Sequence, residues 1–220
     1  MQQLRDHERF EIELIKWLSD HGLLTTITFG GGTCLRLCFG LTRYSVDLDF
    51  FCVRLIPNDW FASLKSDLSK SYILVDAQEK YYSYFFEMKS PAYPRHLKLE
   101  IRKHEFCKPD SETELNVAFS PFSTMQVRLT TFTLAQMARN KLEAMLDRKE
   151  IRDAYDLEFL YKKGAFKVKD LTVNESKKVL RVLKSFTPRQ YKVTLGHLLE
   201  KEEREYYVAN GFKILINALR

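Results

Sequence analysis

Apolar residues recur with two different periods along the chain, and the period changes near residues 125–132. Before this point, short apolar runs bounded by Gly and Pro predict β-strands, which follow an amphipathic helix over 4–21. After Thr133, apolar residues recur every three or four positions and predict only helices. The pattern therefore predicts an α/β part over 1–130 and a helical part over 131–220.

The α/β part is expected to contain one sheet with flanking helices. Its predicted elements are helices over 4–21, over 33–39 and after Pro57, and strands over 24–29, 47–53, 72–77, 81–88, 96–103 and 125–129. Residues 107–124 are predicted to form a loop with at most one short edge strand. The run 81–88 is rich in aromatic residues, which can stack on nucleic-acid bases. We interpret it instead as a strand with one face in the core.

The second part is predicted to be a helical bundle. Helices are expected from Leu134, from Asp153, from Asn174 as an N-cap, after Pro188, and over 202–219. No Gly- or Ser-rich linker separates the two parts, so we expect them to pack against each other around a cleft. The predicted fold class is α+β, with a mixed sheet and flanking helices followed by a C-terminal helical bundle.

The composition narrows the class of protein. With 220 residues, 45% hydrophobic and 29% charged, the chain has the composition of a globular protein. Its four cysteines form no C-x-x-C pair, and this disfavours a cysteine-ligated zinc site. The chain shows no secretion signal and no run close to the ~18 apolar residues of a membrane helix. We therefore expect a cytoplasmic protein without a membrane partner.

The formal net charge of +6 is unevenly distributed. Residues 1–125 hold 15 Lys and Arg against 17 Asp and Glu, a net charge of −2. Residues 126–220 hold 20 against 12, a net charge of +8. A basic solvated surface is one explanation of this asymmetry, and an anion-binding face is the other.

The candidate chemistry lies between Gly30 and Phe51. A predicted strand ends in three glycines and Thr33, and a helix begins there, so backbone N–H groups can approach a phosphate closely. Fourteen residues after Thr33, Asp47 and Asp49 share one face of a strand. Two adjacent carboxylates repel each other, and a bound Mg²⁺ relieves that repulsion. Each motif alone has a simpler explanation, a tight turn or a solvated strand end, but their order and spacing together are specific.

This order and spacing resemble the DNA-polymerase-β-like nucleotidyltransferase superfamily, and more closely the AbiE-type (AbiEii/MenT-like) toxin nucleotidyltransferases. The family pattern GGT-x-L is matched at 31–35, and R-x-S-x-D-[IL]-D-[FL] is matched at 43–50. Downstream, K-L-x-A-x-x-x-R is matched at 141–148 and R-D-x-x-D-L at 152–157. The resemblance covers residues 30–157 and implies a polymerase-β-like mixed sheet.

The resemblance also implies a set of site residues. Asp47 and Asp49 would ligate Mg²⁺ or Mn²⁺. Lys141 would reach the triphosphate, and Asp156 would belong to the same catalytic cleft. The residues that would bind the nucleotide and its phosphates are Gly31, Gly32, Thr33, Arg43 and Ser45.

Several of these residues have alternative explanations. Lys141 would otherwise be a surface lysine, and Asp153 and Asp156 would stabilise a helix N-terminus, which suits Asp153 better. Glu100 shares a face of its predicted strand with Lys98. It is a candidate third metal ligand or general base, and an exposed strand residue is the equal alternative.

By this resemblance the chain is a toxin of a toxin–antitoxin or abortive-infection system. It would transfer a nucleotide from an NTP to RNA, at the tRNA 3′ end, and would have a cognate antitoxin protein. The alternatives are transfer to a small molecule or a protein, and a nucleotide-binding regulator without transfer. The basic residues that are candidates for binding RNA are Arg148, Lys149, Lys162, Lys163, Lys177, Lys178, Arg181 and Lys184.

Overall fold

The computed structural model describes residues 1–108 and 110–220, which form two compact units. The first unit comprises residues 1–40 and 44–132. The second comprises residues 133–220 together with the three residues 41–43. The prediction that the helical part contributes Lys141 and Asp156 to a shared cleft is not tested by this division and stays a prediction.

The first unit contains a seven-stranded mixed sheet with flanking helices. The helices are α1 (Gln2–Asp20), α2 (Gly31–Phe39) and α3 (Trp60–Ser71). The strands are β1 (Ile27–Gly30), β2 (Asp47–Cys52), β3 (Ile73–Glu79), β4 (Ser83–Lys89), β5 (Leu97–Arg102), β6 (Thr113–Phe119) and β7 (Gln126–Phe132). Their order in the sheet is β3-β4-β5-β2-β1-β7-β6. Strands β2 and β5 are parallel, as are β1 and β7, while the remaining neighbours are antiparallel. The predicted α+β class is confirmed.

The alternation of side chains in β2 shows how the sheet is oriented. Leu48, Phe50 and Cys52 are buried, whereas the residues between them are half-buried. The Phe50 ring stacks on Phe29 of β1, with 4.7 Å between ring centroids. Burying a side chain of this size contributes roughly 1.5–3 kcal/mol. A shift of one residue in register would remove these apolar groups from the core, so the face that carries Asp47 is fixed.

The second unit is helical. Its helices are α4 (Leu134–Arg148), α5 (Ile151–Lys162), α6 (Val173–Ser185), α7 (Lys201–Asn210) and α8 (Lys213–Ala218). Short irregular helical turns over Gln190–Leu195 and Gly196–Leu198 connect α6 to α7. Eight of the twelve residues of α5 are buried, so α5 is the central helix of this unit. Within the described part of the chain, no helix is long and apolar enough to cross a membrane.

Several predicted elements differ from the observed ones. The strand expected over 24–29 is shorter, because Leu23–Thr25 form a turn of 3-10 helix before β1. The segment 107–124 contains the full seven-residue edge strand β6. The single helix expected over 202–219 is interrupted at Gly211, whose φ of +56° is incompatible with a continuous right-handed helix.

Helix α6 begins earlier than predicted. Thr172, not Asn174, is the N-cap: its hydroxyl accepts from the Glu175 backbone N–H at 3.2 Å. The Glu175 carboxylate in turn accepts from the Thr172 backbone N–H at 2.8 Å. This reciprocal capping box satisfies two N–H groups, which a cap at Asn174 would not achieve.

We expect Thr172→Ala to lower the free energy of unfolding by about 1 kcal/mol, because it removes the cap and half of the capping box. Asn174→Ala is the matched control and is expected to change it by less than about 0.5 kcal/mol, because Asn174 is exposed inside the first turn. Urea denaturation followed by far-UV circular dichroism measures both. Equal losses in the two variants would contradict the assignment of the cap.

Candidate active site

Three carboxylates lie on one face of the sheet in the first unit. Asp47 and Asp49 are both half-buried and point away from the face that carries Leu48. In the parallel pairing of β2 with β5, Asp49 lies opposite Glu100. Glu100 is therefore on the same face, where its Oε1 accepts a hydrogen bond from the Ser83 hydroxyl at 2.5 Å.

The N-terminus of α2 lies directly beside Asp49. Strand β1 ends at Gly30, which is paired with Asp49, and α2 begins at the next residue. Gly31 has a φ of +72°, and a Cβ placed on it would lie only 2.0 Å from Asp49 Oδ2. Only glycine combines this conformation with this contact. The electropositive start of a nine-residue helix is thus held next to the acidic face.

Thr33 supports the site from inside the protein. Its side chain is fully buried, and its hydroxyl donates to the backbone carbonyl of Asp47 at 2.7 Å. The same hydroxyl lies 3.4 Å from Glu11 Oε1. The hydrogen bond from Thr33 to Asp47 connects the first turn of α2 to the first residue of β2. It fixes the backbone from which Asp47 projects.

Buried polar residues of α1 lie behind β2, and sequence reasoning missed them. His7 Nε2 lies 2.9 Å from the carbonyl oxygen of Val46, to which it donates as a neutral imidazole. Burial lowers the pKa of His7. Burial, followed by the charge of Glu8, raises the pKa of Glu11 well above its usual range. His7 and Glu11 lie 3.7 Å apart, but both directions of shift favour neutral forms rather than an ion pair.

The sequence contained a signal for these residues. His7, Glu8 and Glu11 lie at the helical spacing of the apolar residues Leu4 and Leu14, and all five are buried. Polar residues on the apolar face of an amphipathic helix are unusual and call for partners. Glu8 has such partners, since it pairs with Arg36 and accepts from the Ser120 hydroxyl at 2.7 Å.

The acidic face fits a divalent cation bound by oxygen. Asp47 and Asp49 offer the hard carboxylate ligands that Mg²⁺ prefers, and the start of α2 leaves Asp49 uncovered by a Cβ. Among the described residues, no group of three or more His, Cys, Asp or Glu side chains is arranged to hold a metal ion. The two aspartates are therefore the candidate ligands, and a role for Glu100 stays a prediction.

A second cluster of predicted residues lies in the second unit. Arg43 binds Asp156 with both its Nε and an Nη, at 2.6 and 2.7 Å, and Lys141 Nζ lies 2.6 Å from Asp156 Oδ2. Asp156 is fully buried, and Arg43 is 3% exposed. Lys141 also contacts Asp153 at 3.1 Å, and its side chain is only 12% exposed. It is not an exposed surface lysine.

Asp156 and Arg43 both keep their charges although they are buried. Burial alone would raise the pKa of Asp156, but Arg43 and Lys141 outweigh burial and lower it. For Arg43, burial alone would lower the pKa, but Asp156 outweighs it and raises that pKa. Asp153 lies in the first turn of α5 and is further paired with Arg148 at 2.9 Å. The cluster is thus a buried, charge-compensated network.

Two further predicted site residues, Gly32 and Ser45, lie in the first unit. Gly32 is buried in the first turn of α2, and Ser45 is half-buried just before β2. Their contact with a nucleotide stays a prediction.

The candidate RNA-binding residues are in two kinds of environment. Lys177, Lys178, Arg181 and Lys184 are all exposed on α6, opposite its buried apolar residues. Others are already engaged: Arg148 pairs with Asp153, and Lys162 contacts Glu158 at 3.3 Å. Lys149 forms the C-cap of α4, and Lys163 lies over the Phe159 ring. The exposed face of α6 is therefore the part of this set that suits an external anion best.

The fold is similar to that of solved proteins from Helicobacter pylori. JHP933 is 22% identical with a TM-score of 0.56, and the match covers 100% of this chain and 94% of that one. A candidate nucleotidyltransferase from the same organism is 22% identical with a TM-score of 0.57, covering 100% and 97%. No curated protein matches the chain significantly. At this identity the likeness establishes the fold alone.

A family model identifies the chain more closely. The model described as "Nucleotidyl transferase AbiEii toxin, Type IV TA system" matches residues 14–210. The chain therefore belongs to the AbiEii nucleotidyltransferase toxin family of type IV toxin–antitoxin systems, and the resemblance seen in its motifs is confirmed. Membership implies an NTP substrate and an antitoxin partner.

We expect Gly31→Ala to disrupt the site through its contact with Asp49. Gly22→Ala is the matched control, because Gly22 has a φ of +70° but nothing within 4 Å of its Cβ position. Both changes force an alanine into the left-handed backbone conformation, which lowers the free energy of unfolding by roughly 1–2 kcal/mol. Only Gly31→Ala also displaces Asp49, so we expect nucleotide transfer to fall about 10²-fold in that variant alone. Equal activity in both variants, measured by pyrophosphate release, would rule out this role of Gly31.

We expect Glu11 to make stability depend on pH. Because its folded-state pKa is raised, the folded protein keeps a proton that the unfolded chain loses above about pH 4.3. The free energy of unfolding therefore falls as the pH rises above about 4.3 toward the raised pKa of the folded state. Glu11→Gln removes the titration, so its free energy of unfolding should improve relative to wild type between about pH 4 and pH 7.

Urea denaturation at several pH values measures this difference. Glu114→Gln, at an exposed position of β6, is the control, and we expect it to change the free energy of unfolding by less than about 0.5 kcal/mol. A difference for Glu11→Gln that stays constant with pH would contradict the protonated state of Glu11.

Proposed function

We propose that the protein is a Mg²⁺-dependent nucleotidyltransferase that attaches a nucleotide from an NTP to RNA, at the tRNA 3′ end. The observation that carries this proposal is the placement of Asp47 and Asp49 on one sheet face beside the N-terminus of α2. The two carboxylates would hold the cation, and the first turn of α2 would bind phosphate. When bound, the cation would neutralise charge on the triphosphate during transfer.

The residues of this chain would divide the remaining work. Backbone N–H groups at Gly31 and Gly32 would orient the phosphates, while Thr33 holds the backbone of Asp47 in place. Glu100 would accept the proton of the attacking hydroxyl or complete the metal site. Its hydrogen bond from Ser83 orients one carboxylate oxygen for either role.

Lys141 is proposed to bind the triphosphate. Asp156 is proposed to act through its neighbours, because Arg43 and Lys141 engage both of its oxygens and the carboxylate is fully buried. By pairing with both cations, Asp156 would position them rather than contact the nucleotide. Arg43, which is bidentate to Asp156, would stiffen this arrangement.

An RNA acceptor is supported by the charge of the chain. Residues 126–220 carry a net charge of +8, and α6 presents the exposed basic residues Lys177, Lys178, Arg181 and Lys184. Contacts from Lys and Arg to phosphates dominate nucleic-acid affinity. We propose that this activity is the toxic one and is neutralised by a cognate antitoxin in abortive infection.

The test is to incubate the protein with each labelled NTP, Mg²⁺ and total RNA. We expect label in tRNA, loss of labelling on chelation of the metal, and a decrease of about 10²-fold or more in Asp47→Asn. This variant keeps the shape of the side chain while removing its charge. Asp76→Asn is the matched control, because Asp76 is also half-buried on a strand but lies on the outer strand β3.

The other outcomes point to other functions. Label on a protein or small molecule in place of RNA would identify a different acceptor. NTP binding without transfer would indicate a regulator. Transfer that is equally fast in wild type and Asp47→Asn would exclude the proposed site.

A further inference from the structure

Three aromatic rings cluster on the surface of the first unit, at the turn between β3 and β4. Tyr81 and Tyr82 are 74% and 58% exposed, and their ring centroids are 4.7 Å apart. Phe106, which follows β5, packs 5.2 Å from Tyr81 and 4.6 Å from Tyr82. The two tyrosines therefore do not belong to the core-facing strand that the aromatic run 81–88 predicts, because β4 begins only at Ser83.

Packing of the core does not account for the two tyrosines of this cluster. Turns usually contain Gly, Asn, Asp or Ser, which form tight bends and prefer water. Side chains that remain more than half exposed contribute little buried area, so two tyrosines at a turn add little to the stability of the core. Adjacent exposed rings that hold each other edge to face form a preorganised surface for another flat, apolar group.

The surroundings of the cluster favour a negatively charged partner. Lys80 precedes Tyr81, and Lys103 donates its backbone N–H to the Tyr82 carbonyl at 3.0 Å. Segments 79–82 and 102–108 together hold four cations, Lys80, Arg102, Lys103 and Lys108, against the carboxylates Glu79 and Glu105. Lys103 pairs with Glu79 at 2.8 Å, which leaves three cations against Glu105. Aromatic rings among cations are typical of surfaces that bind single-stranded nucleic acid, where bases stack and phosphates meet Lys and Arg.

The cluster is connected to the acidic face of the sheet. Ser83, the residue after Tyr82, donates its hydroxyl to Glu100. The Lys80 ammonium lies 4.0 Å from the centroid of Phe85, and Phe85 is paired with Glu100 across β4 and β5. Glu100 and Lys103 are three residues apart, or about 10 Å along an extended strand. This length is spanned by about three stacked nucleotides.

We propose that Tyr81 and Tyr82 form a stacking platform for the unpaired bases at the 3′ end of the RNA acceptor. The platform holds the terminal nucleotides while the last hydroxyl reaches the face that carries Asp49 and Glu100. Because every base has a stacking face, the platform accepts different terminal sequences. This inference rests on the proposed function and specifies how its acceptor is held.

The test compares RNA binding and transfer in three variants. Tyr81→Ala with Tyr82→Ala removes both rings, Tyr81→Phe with Tyr82→Phe keeps them, and Phe119→Ala removes an exposed ring from β6, at the other edge of the sheet. Binding is measured by fluorescence anisotropy with a labelled single-stranded RNA of about ten nucleotides. The KM values for tRNA and NTP are measured in the same preparations.

We expect the double alanine variant to weaken RNA binding about tenfold or more and to raise the KM for tRNA similarly, with the KM for NTP unchanged. The double phenylalanine variant and Phe119→Ala should stay within about twofold of wild type, since stacking needs only the rings. Unchanged RNA binding in the double alanine variant, in a protein that still labels tRNA, would overturn the platform and leave the proposed function standing.

Two further outcomes would also overturn the platform. A raised KM for NTP with unchanged RNA binding would show that the rings stack on the NTP base instead. A wild-type protein that neither binds nor labels RNA would overturn the platform together with the proposed function.

Discussion

The close approach of Gly31 to the Asp49 carboxylate is the constraint on which the candidate site depends. A helix N-terminus attracts negative charge, and a pair of carboxylates attracts cations, so a nucleotide phosphate with its metal is suited to the space that borders both. They can be neighbours only because Gly31, the first residue of α2, has no Cβ and adopts a φ of +72°. The pairing of Gly30 with Asp49 in the sheet sets this proximity, and the register is held by the buried alternation of Leu48 and Phe50 on the opposite face.

Buried polar side chains lie behind the site, at positions where apolar side chains would stabilise the fold more. His7 and Glu11 are buried, and among the described residues His7 Nδ1 and Glu11 Oε2 have no hydrogen-bond partner. An unpartnered buried polar atom costs roughly 1–3 kcal/mol. That cost is offset by what the other atoms of these groups do: His7 holds the carbonyl of Val46, and Thr33, beside Glu11, holds that of Asp47. The start of the strand that presents the carboxylates is therefore held by side chains from two helices, His7 of α1 at Val46 and Thr33 of α2 at Asp47.

The sequence predicted those features that depend on local pattern and left out those that depend on tertiary pairing. The strand at Asp47, the glycine turn and the long helices follow from alternation, turn residues and helical period, and the family resemblance follows from their spacing. The partner of Asp156 does not, because Arg43 lies 113 positions away and nothing local indicates the pairing. The sequence does not predict the exposure of Tyr81 and Tyr82 either, since an aromatic run favours a strand and only the observed start of β4 excludes them from it. The sequence predicts the cap of α6 at the wrong residue because Thr172 and Asn174 are both good N-caps, and only the reciprocal bond with Glu175 distinguishes them.

Helix α5 also contains buried polar residues that position other groups more than they stabilise the fold. Most of its residues are buried, yet Asp153, Asp156 and Glu158 lie within its first eight residues. Each of these carboxylates has polar partners. Glu158, for example, accepts hydrogen bonds from the Tyr207 hydroxyl at 2.9 Å and from the Leu215 backbone N–H at 3.0 Å. Buried ion pairs recover little more than their desolvation cost, so they are a poor way to stabilise a helix but an effective way to fix cations in one geometry. The lowered pKa of Asp156 keeps it ionised, and an ionised Asp156 keeps the Lys141 ammonium at one place rather than on a mobile side chain. The charge network of α5 is thus better explained by what it positions than by what it stabilises.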